Sequence, residues 1–404
     1  MKSKLFLSSA ALALAALVSC GNKSVGIKVG LICLHNKNST YDANFINAFN
    51  AACNEARKDG LVISSSVVTD IPESDKCFEA AERFVKQGYS IIFSDSYGHD
   101  PFMRKAAAKY PNVFFSSATG DQSITANIPN YHNAFASIYQ GRYLAGVAAG
   151  EYLKAHTDKG HVLGYVGAFP YAEVISGFTS WYLGVKSVVD DVTMQVTYTN
   201  SWYDYDKEAA AAEALISKGC SVISQHADSM GAPNACKAKG VPNISYNINT
   251  AATDKTCADT YVAHSRINWQ PYYSSVLKTA VGTSITGEEY SNWTGTLEGG
   301  SVDYNVTDNT NLISADAKER IKGVEKQLKE GTLHVFDTSK FKFNKDKTPT
   351  GETVDTDGEQ HITKYEVNLK SYKAPTEDKD WVVDLVKEDK GNGVKYIDES
   401  AIRS

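Results

Sequence analysis

Ile27-Lys28-Val29-Gly30-Leu31-Ile32-Cys33-Leu34 opens the body of the chain and decides how the rest is read. It is a short apolar run of strand length. Beyond it, Phe45, Ala48, Phe49, Ala52 and Ala56 recur at i, i+3/i+4 spacing, which predicts a helix over 44–58 with one apolar face. The same alternation continues. Strand-like runs fall at 62–67, 90–94, 113–117, 161–167, 193–199, 221–224 and 244–246. Helical patterns fall at 101–109, with Asp100 as the expected N-cap and Pro101 in the first turn, and at 137–156, 176–188, 207–218 and 233–239. In the Gly- and Ala-rich 137–156 pattern, Gly141, Gly146 and Gly150 permit close approach of a neighbouring element. Short strands alternating with helices predict an α/β fold with parallel sheets and right-handed crossovers. There are enough units for two lobes, with a boundary near Asn130-Asn133 and no visible internal repeat.

The last third differs. A charged helix is predicted over 314–331, with Gly331 closing it. Short strands are expected at 333–337, 341–343 and 363–367. Asp355-Thr356-Asp357-Gly358 echoes a calcium loop but lacks the remaining ligands, so a glycine turn is the better reading.

The chain begins with a basic Met1-Lys2-Ser3-Lys4 and an apolar run over 5–18, too short to span a bilayer and of the length of a secretory core. Leu17-Val18-Ser19-Cys20-Gly21-Asn22 follows and resembles a bacterial lipobox, in which the Cys20 thiol would carry a diacylglycerol. The expectation is an exported protein with a leader at 1–19 and a lipid-anchored tether at 20–26, facing the periplasm or the cell exterior. With 41 Lys plus Arg against 47 Asp plus Glu, the net charge of −6 argues against a nucleic-acid partner, which needs a basic footprint. Six Cys remain beyond Cys20: 33, 53, 77, 220, 236 and 257. Export permits disulfides, but several lie within strand and helix patterns among small apolar residues, where buried free thiols are the better reading.

Motifs for catalysis or cofactors are mostly missing. No G-x-G-x-x-G follows the first strand, and in Gly282-Thr283-Ser284-Ile285-Thr286-Gly287 a Glu288 stands where a phosphate-binding Lys belongs. There is no H-E-x-x-H, C-x-x-C or G-x-S-x-G. Ser275-Val276-Leu277-Lys278 matches S-x-x-K without its partner motifs. No enzyme activity, cofactor or metal is expected.

Several segments resemble the basic membrane protein family. They are Ile91-Ile92-Phe93 with Ser96-Tyr97-Gly98, Lys109-Tyr110-Pro111, Tyr139-Gln140-Gly141-Arg142-Tyr143-Leu144-Ala145-Gly146, Gly164-Tyr165-Val166-Gly167-Ala168-Phe169-Pro170 with Glu173, Asn200-Ser201-Trp202-Tyr203-Asp204 with Lys207-Glu208, and Ile223-Ser224-Gln225-His226-Ala227-Asp228-Ser229. The resemblance runs from about residue 28 to about 385. It implies a type I periplasmic-binding-protein fold: two Rossmann-like lobes, a hinge and a central cleft. The first lobe is expected to take 27–134 plus about 264–290, the second 135–263 plus about 291–404. It also implies a lipid-anchored substrate-binding protein of an ABC importer, monomeric, delivering a purine nucleoside or base to a membrane permease.

A purine offers two π faces and a polar rim, so a good site stacks aromatics on the faces and answers the rim with amides, carboxylates or hydroxyls. Ligands of α/β sheets sit at the carboxyl ends of strands. The expected contacts are therefore Ser39, Thr40, Tyr41 and Asn44 after the first strand, and Ser96 and Tyr97 after the third. From the second lobe come Phe169, Glu173, Trp202, Asp204, His226, Asp228, Asn247 and Asn249, with Asn268 and Trp269 near the return crossing. Alternatives stand beside them. Phe45 reads as core and Tyr41 as either core or contact. Asp204 could cap a helix, His226 could be structural, Phe169-Pro170 could be a rigid turn, and Glu173 a helix N-terminal charge.

Three departures matter. Nucleoside-binding members carry Asp-Lys-Ser-Phe-Asn after strand one, where this chain has Asn38-Ser39-Thr40-Tyr41-Asp42-Ala43-Asn44-Phe45. Asn247-Ile248-Asn249 replaces an acidic ribose-binding pair, and Asn268-Trp269 stands near a ribose-binding Lys. A carboxamide grips a diol less strongly than a carboxylate, which brings a free base into consideration. The rival readings are a sugar or signalling ligand on the same fold, a surface antigen or adhesin, and an exported hydrolase.

Overall fold

The structure is a computed structural model describing residues 26–120, 126, 128–282 and 292–336, with three-residue strands at 341–343, 360–362, 386–388 and 395–397. The chain divides into two units. One takes Met1–Asn38, Asp42–Phe135 and Asn268–Gly295; the other takes Ser39–Tyr41, Ala136–Ile267 and Thr296–Ser404.

The first unit is built on β1 (Ile27–Ile32), α1 (Thr40–Lys58), β2 (Ile63–Val68), α2 (Asp75–Lys86), β3 (Ile91–Ser94), α3 (Asp100–Lys109), β4 (Phe114–Ala118) and β5 (Tyr131–Ala136). β2, β1, β3, β4 and β5 pair in parallel in that spatial order. β3, β4 and β5 are buried along their whole length, as parallel strands are; in β3 this reads as the apolar Ile91-Ile92-Phe93, whereas β4 and β5 also bury Ser116, Ser117, His132 and Asn133. The apolar face of α1 lands as its spacing predicts: Phe45, Phe49, Ala52 and Ala56 are buried, with the Phe49 ring edge-on to Phe93.

The second unit repeats the scheme with β6 (Val162–Gly167), β7 (Thr193–Tyr198), β8 (Val222–His226), β9 (Asn243–Tyr246) and β10 (Tyr261–Ile267). Here the spatial order is β7-β6-β8-β9-β10. Its helices are α4 (Ile138–Ala155), α5 (Ala172–Lys186), α6 (Tyr205–Ser217), α7 (Gly231–Lys239) and the single turn α8 (Thr250–Thr253). The chain then returns through α9 (Gln270–Gly282) and β11 (Asn292–Gly295), which joins the first sheet beside β5. β12 (Val302–Val306) pairs antiparallel with β10, and α10 (Ala315–Lys329) follows. The two sheets thus share one strand order, a doubly wound arrangement whose carboxyl strand ends carry the loops.

Three expectations need correction. Residues 333–336 form turns, not a strand: Val335 and Phe336 are buried, and Phe336 packs beside Tyr139 of α4. Asp100 lies inside the first turn of α3 rather than capping it, with its carboxylate on Arg104 at 2.8 Å and on the Tyr131 hydroxyl. The helix over 176–188 starts earlier, at Ala172. α2, β5, β10 and α9 were not anticipated. The six cysteines beyond Cys20 are free and buried. Cys20, the 355–358 turn and the strand expected at 363–367 lie outside the described residues.

Candidate functional site

In each unit the backbone is strained where parallel sheets bind ligands. Asp70 (φ 60°), Thr119 (φ 57°), Asn200 (φ 55°) and Asn247 (φ 68°) are the non-glycine residues with positive φ among those described. They follow the ends of β2, β4, β7 and β9. Given the shared strand order, Asp70 corresponds to Asn200 and Thr119 to Asn247. A left-handed backbone costs free energy, most of all for a β-branched Thr, and such positions concentrate at functional loops.

The second unit gathers most of the expected residues. Phe169, just beyond β6, stacks on Tyr171 with ring centroids 5.1 Å apart and a 12° interplanar angle. Trp202 in the β7–α6 loop meets Phe169 edge-on at 5.1 Å and Tyr171 at 5.9 Å. Phe169 and Trp202 are half-buried, and Tyr171 is 46% exposed, so the cluster presents open aromatic surface. Behind it, His226 ends β8, 6.5 Å from the Trp202 ring, with Nε2 3.5 Å from a Glu173 carboxylate oxygen. Burial, aided by the nearby Arg142 guanidinium, holds His226 below the usual imidazole range against the opposing pull of Glu173. The site therefore pairs open aromatic faces with a neutral imidazole and a carboxylate.

Loop contacts fix this arrangement. Asp228 donates its backbone N–H to the Trp202 carbonyl at 2.9 Å, and its own carbonyl accepts from the Thr40 N–H at 2.7 Å. Asp204 caps α6 through the Lys207 N–H at 3.0 Å, so its side chain is structural. Asn249 caps α8 through the Ala252 N–H at 3.0 Å. Asn247 is buried, and its Nδ2 has no hydrogen-bond partner, which makes it a donor at the end of β9.

Tyr41, which belongs to the second unit, is half-buried; in the first unit, Asn44 is buried on the first turns of α1. Ser96 donates its hydroxyl to Glu73, which also accepts from the Gly98 N–H at 3.0 Å; this locks the β3–α3 loop and leaves Tyr97 41% exposed. Asn268 accepts from the Gln270 N–H at 3.3 Å. Trp269 is buried, stacked on Phe45 at 4.4 Å, where it serves as core. Among the described residues, Cys33, Asp42 and Asp95 bring metal-capable atoms within 4.8 Å of one another. All three are buried, and burial followed by the Asp42 charge pushes the Asp95 carboxyl well up. With Leu34 and His35 N–H groups donating to Asp95 and Asp42, the trio reads as a hydrogen-bonded acid pair.

Sequence reasoning missed three parts of the second-unit site. Tyr171 follows Phe169-Pro170 and extends that stack. Tyr246 of β9 lies 4.8 Å from the His226 ring. Arg142 sets its guanidinium 3.5 Å over the Tyr246 ring and donates to the Gln225 carbonyl at 2.8 Å, with 1% of its surface exposed. One cation within the Gly- and Ala-rich run 141–150 was the available signal.

Residues 31–335 match the family model described as ABC transporter substrate-binding protein PnrA-like. The chain is similar to the "Purine-binding protein BAB2_0673" of Brucella abortus, 32% identical over 70% of this chain and 77% of that protein. It is also similar to the "Putative ABC transporter glucose-binding protein TsgA13" of Haloferax volcanii, 29% identical over 68% of this chain and 65% of that one. Among solved structures, an ABC transporter solute-binding protein from Conexibacter woesei superposes with a TM-score of 0.61 at 20% identity, over 76% of this chain and 98% of that chain. That likeness concerns the fold, which is the type I periplasmic-binding-protein fold.

Proposed function

Because the chain belongs to the PnrA-like family of ABC transporter substrate-binding proteins, solute binders and not enzymes, we propose that its solute is a purine, taken up as the free base or the nucleoside. The observation that carries this reading is the Phe169–Tyr171–Trp202 cluster beside Glu173 and His226. Stacked rings suit a flat heterocycle, and a carboxylate next to an imidazole suits its N–H rim. The relative from Brucella abortus, named for purine binding, supports it. The free base is the stronger form: Asn249 spends its side-chain carbonyl on the α8 cap, which leaves little for a ribose diol. Export, a lipid on Cys20 and delivery to a membrane permease complete the proposal, with Thr40, Tyr41, Asn44, Ser96, Tyr97, Asn247, Asn268 and Trp269 as further candidates at or behind the solute.

The relative from Haloferax volcanii, named for glucose binding, keeps a sugar as the second reading, since aromatic faces also pack on sugar C–H surfaces. Titration calorimetry with adenine, hypoxanthine, adenosine, guanosine, inosine and glucose separates the two. Heat from adenine or hypoxanthine is expected. Heat from glucose alone would sink the purine reading.

A further inference from the structure

Gly177 of α5 faces a group of buried polar atoms that no hydrogen bond among the described residues satisfies. A Cβ at this position would lie 3.1 Å from His226 Nδ1, 3.4 Å from the Tyr165 hydroxyl and 3.6 Å from Arg142 Nε. Each of these atoms, and Arg142 Nη2 as well, is buried without a hydrogen-bond partner. Arg142, Tyr165 and His226 are 1%, 0% and 3% exposed. Buried polar groups are almost always paired, with protein or with internal water. Three such atoms against one glycine, with Nη2 on the same guanidinium, are a site rather than a scatter.

The chemistry of the four selects the guest. Arg142 Nε and Nη2 donate only, and the Tyr165 hydroxyl donates readily. His226 has its Nε2 towards the Glu173 carboxylate at 3.5 Å, and a carboxylate only accepts. A neutral imidazole carries one N–H, so with that proton on Nε2 the Nδ1 facing Gly177 is an acceptor. An inorganic anion could take the Arg142 and Tyr165 protons but would oppose the Nδ1 lone pair. Water accepts from two donors and gives a proton to Nδ1. A buried cation with no carboxylate within salt-bridge distance among the described residues is thereby linked, through water and imidazole, to Glu173.

We propose that Arg142, Tyr165 and His226 hold one internal water over Gly177, and that this water fixes His226 as the neutral tautomer with its proton on Nε2. Arg142 and Tyr165 are then positioning residues. They decide that the imidazole edge beside Trp202 and Glu173 is a donor, and so which solute edges are compatible with it. The assignment of a water and a tautomer stands whatever the solute proves to be.

Nitrogen-15 NMR of histidine-labelled full-length protein, without ligand, tests this directly. His226 should show the Nε2–H pattern, with Nδ1 unprotonated, between about pH 6 and pH 8. Tyr165→Phe and Gly177→Ala, each checked by circular dichroism for an intact fold, should shift His226 into a mixture of tautomers. A crystal structure at high resolution should show ordered solvent within hydrogen-bond distance of Arg142 Nε and His226 Nδ1. An Nδ1–H pattern in the unaltered protein, a tautomer indifferent to both substitutions, or a dry contact at Gly177 would each overturn the proposal. None of these outcomes depends on purine binding, so the two readings fail separately.

Discussion

Gly146 of α4 and Gly184 of α5 meet backbone to backbone: a Cβ built on either glycine would lie 3.0 Å from the Cα of the other. The same Cβ on Gly146 would sit 2.1 Å from the Trp181 carbonyl oxygen, and that on Gly184 2.2 Å from the Tyr143 carbonyl oxygen. The two helices can approach this closely only where no side chain intervenes. α4 in turn carries Arg142, and α5 carries Glu173 and Gly177, so the crossing sets the separation of the parts of the site.

Gly146→Ala should therefore destabilise the protein although alanine is the better helix former. Overpacking costs about 1–3 kcal/mol and exceeds the ~1 kcal/mol that the propensity returns. Urea unfolding should show a lower midpoint. An unchanged or higher midpoint would mean that the crossing relaxes freely.

Trp202→Ala should leave the fold intact and weaken purine binding by roughly 10- to 100-fold, the scale of a lost aromatic anchor. The reason is local. The Trp202 bond to the neighbouring loop is made by its backbone carbonyl, which accepts from the Asp228 N–H, and alanine keeps that carbonyl. Calorimetry with adenine, set against the melting curve, separates a binding defect from a folding one.

Thiol chemistry gives an independent check on the core. Cys33, Cys53, Cys77, Cys220, Cys236 and Cys257 are buried and free, and burial raises each thiol's pKa, that of Cys220 to about 11. Thiolate is the reactive form, so Ellman's reagent should react slowly with the native protein and label all six on unfolding. Dithiothreitol should leave the melting temperature unchanged. A melting temperature that falls with reductant would expose a disulfide.

What could be read beforehand follows from what each residue's role depends on. The sheets were legible because buried parallel strands are short apolar runs, as in Ile91-Ile92-Phe93. α1 was legible because Phe45, Phe49, Ala52 and Ala56 repeat at helical spacing. α2 carried the same signal in Cys77, Ala80, Ala81 and Phe84, with Ser74 as its cap, and was overlooked among its charges. Aromatics at strand ends were legible for Phe169 and Trp202. For Trp269 the same logic says less, since position along a strand does not say which way a ring turns; its ring packs on Phe45. Arg142 and Tyr246 could not be paired from sequence, because their 3.5 Å contact joins a helix and a strand about a hundred residues apart.

A pH experiment probes the loops that carry Trp202 and Asp228. Glu208, on the first turns of α6, is buried; its carboxylate accepts from the Asp204 N–H at 3.2 Å and from the Ser229 N–H at 3.1 Å. It thereby ties together the two loops beside the aromatic cluster. Burial outweighs these bonds and raises its pKa from 4.5 to about 7. The sign follows from proton counting: between those values the folded state binds the proton and the unfolded state does not. Its contribution to stability is fully present below about pH 4.5 and is lost as pH rises through about 7, by at most ~3 kcal/mol. Glu208→Gln abolishes this titration while keeping an oxygen acceptor. Denaturation midpoints measured from about pH 5 to pH 8 should fall more steeply for the unaltered protein than for the variant, and the gap should close in one-proton fashion around neutrality. Parallel profiles would show that the Glu208 carboxylate is hydrated and that the loop tie is held by the backbone alone.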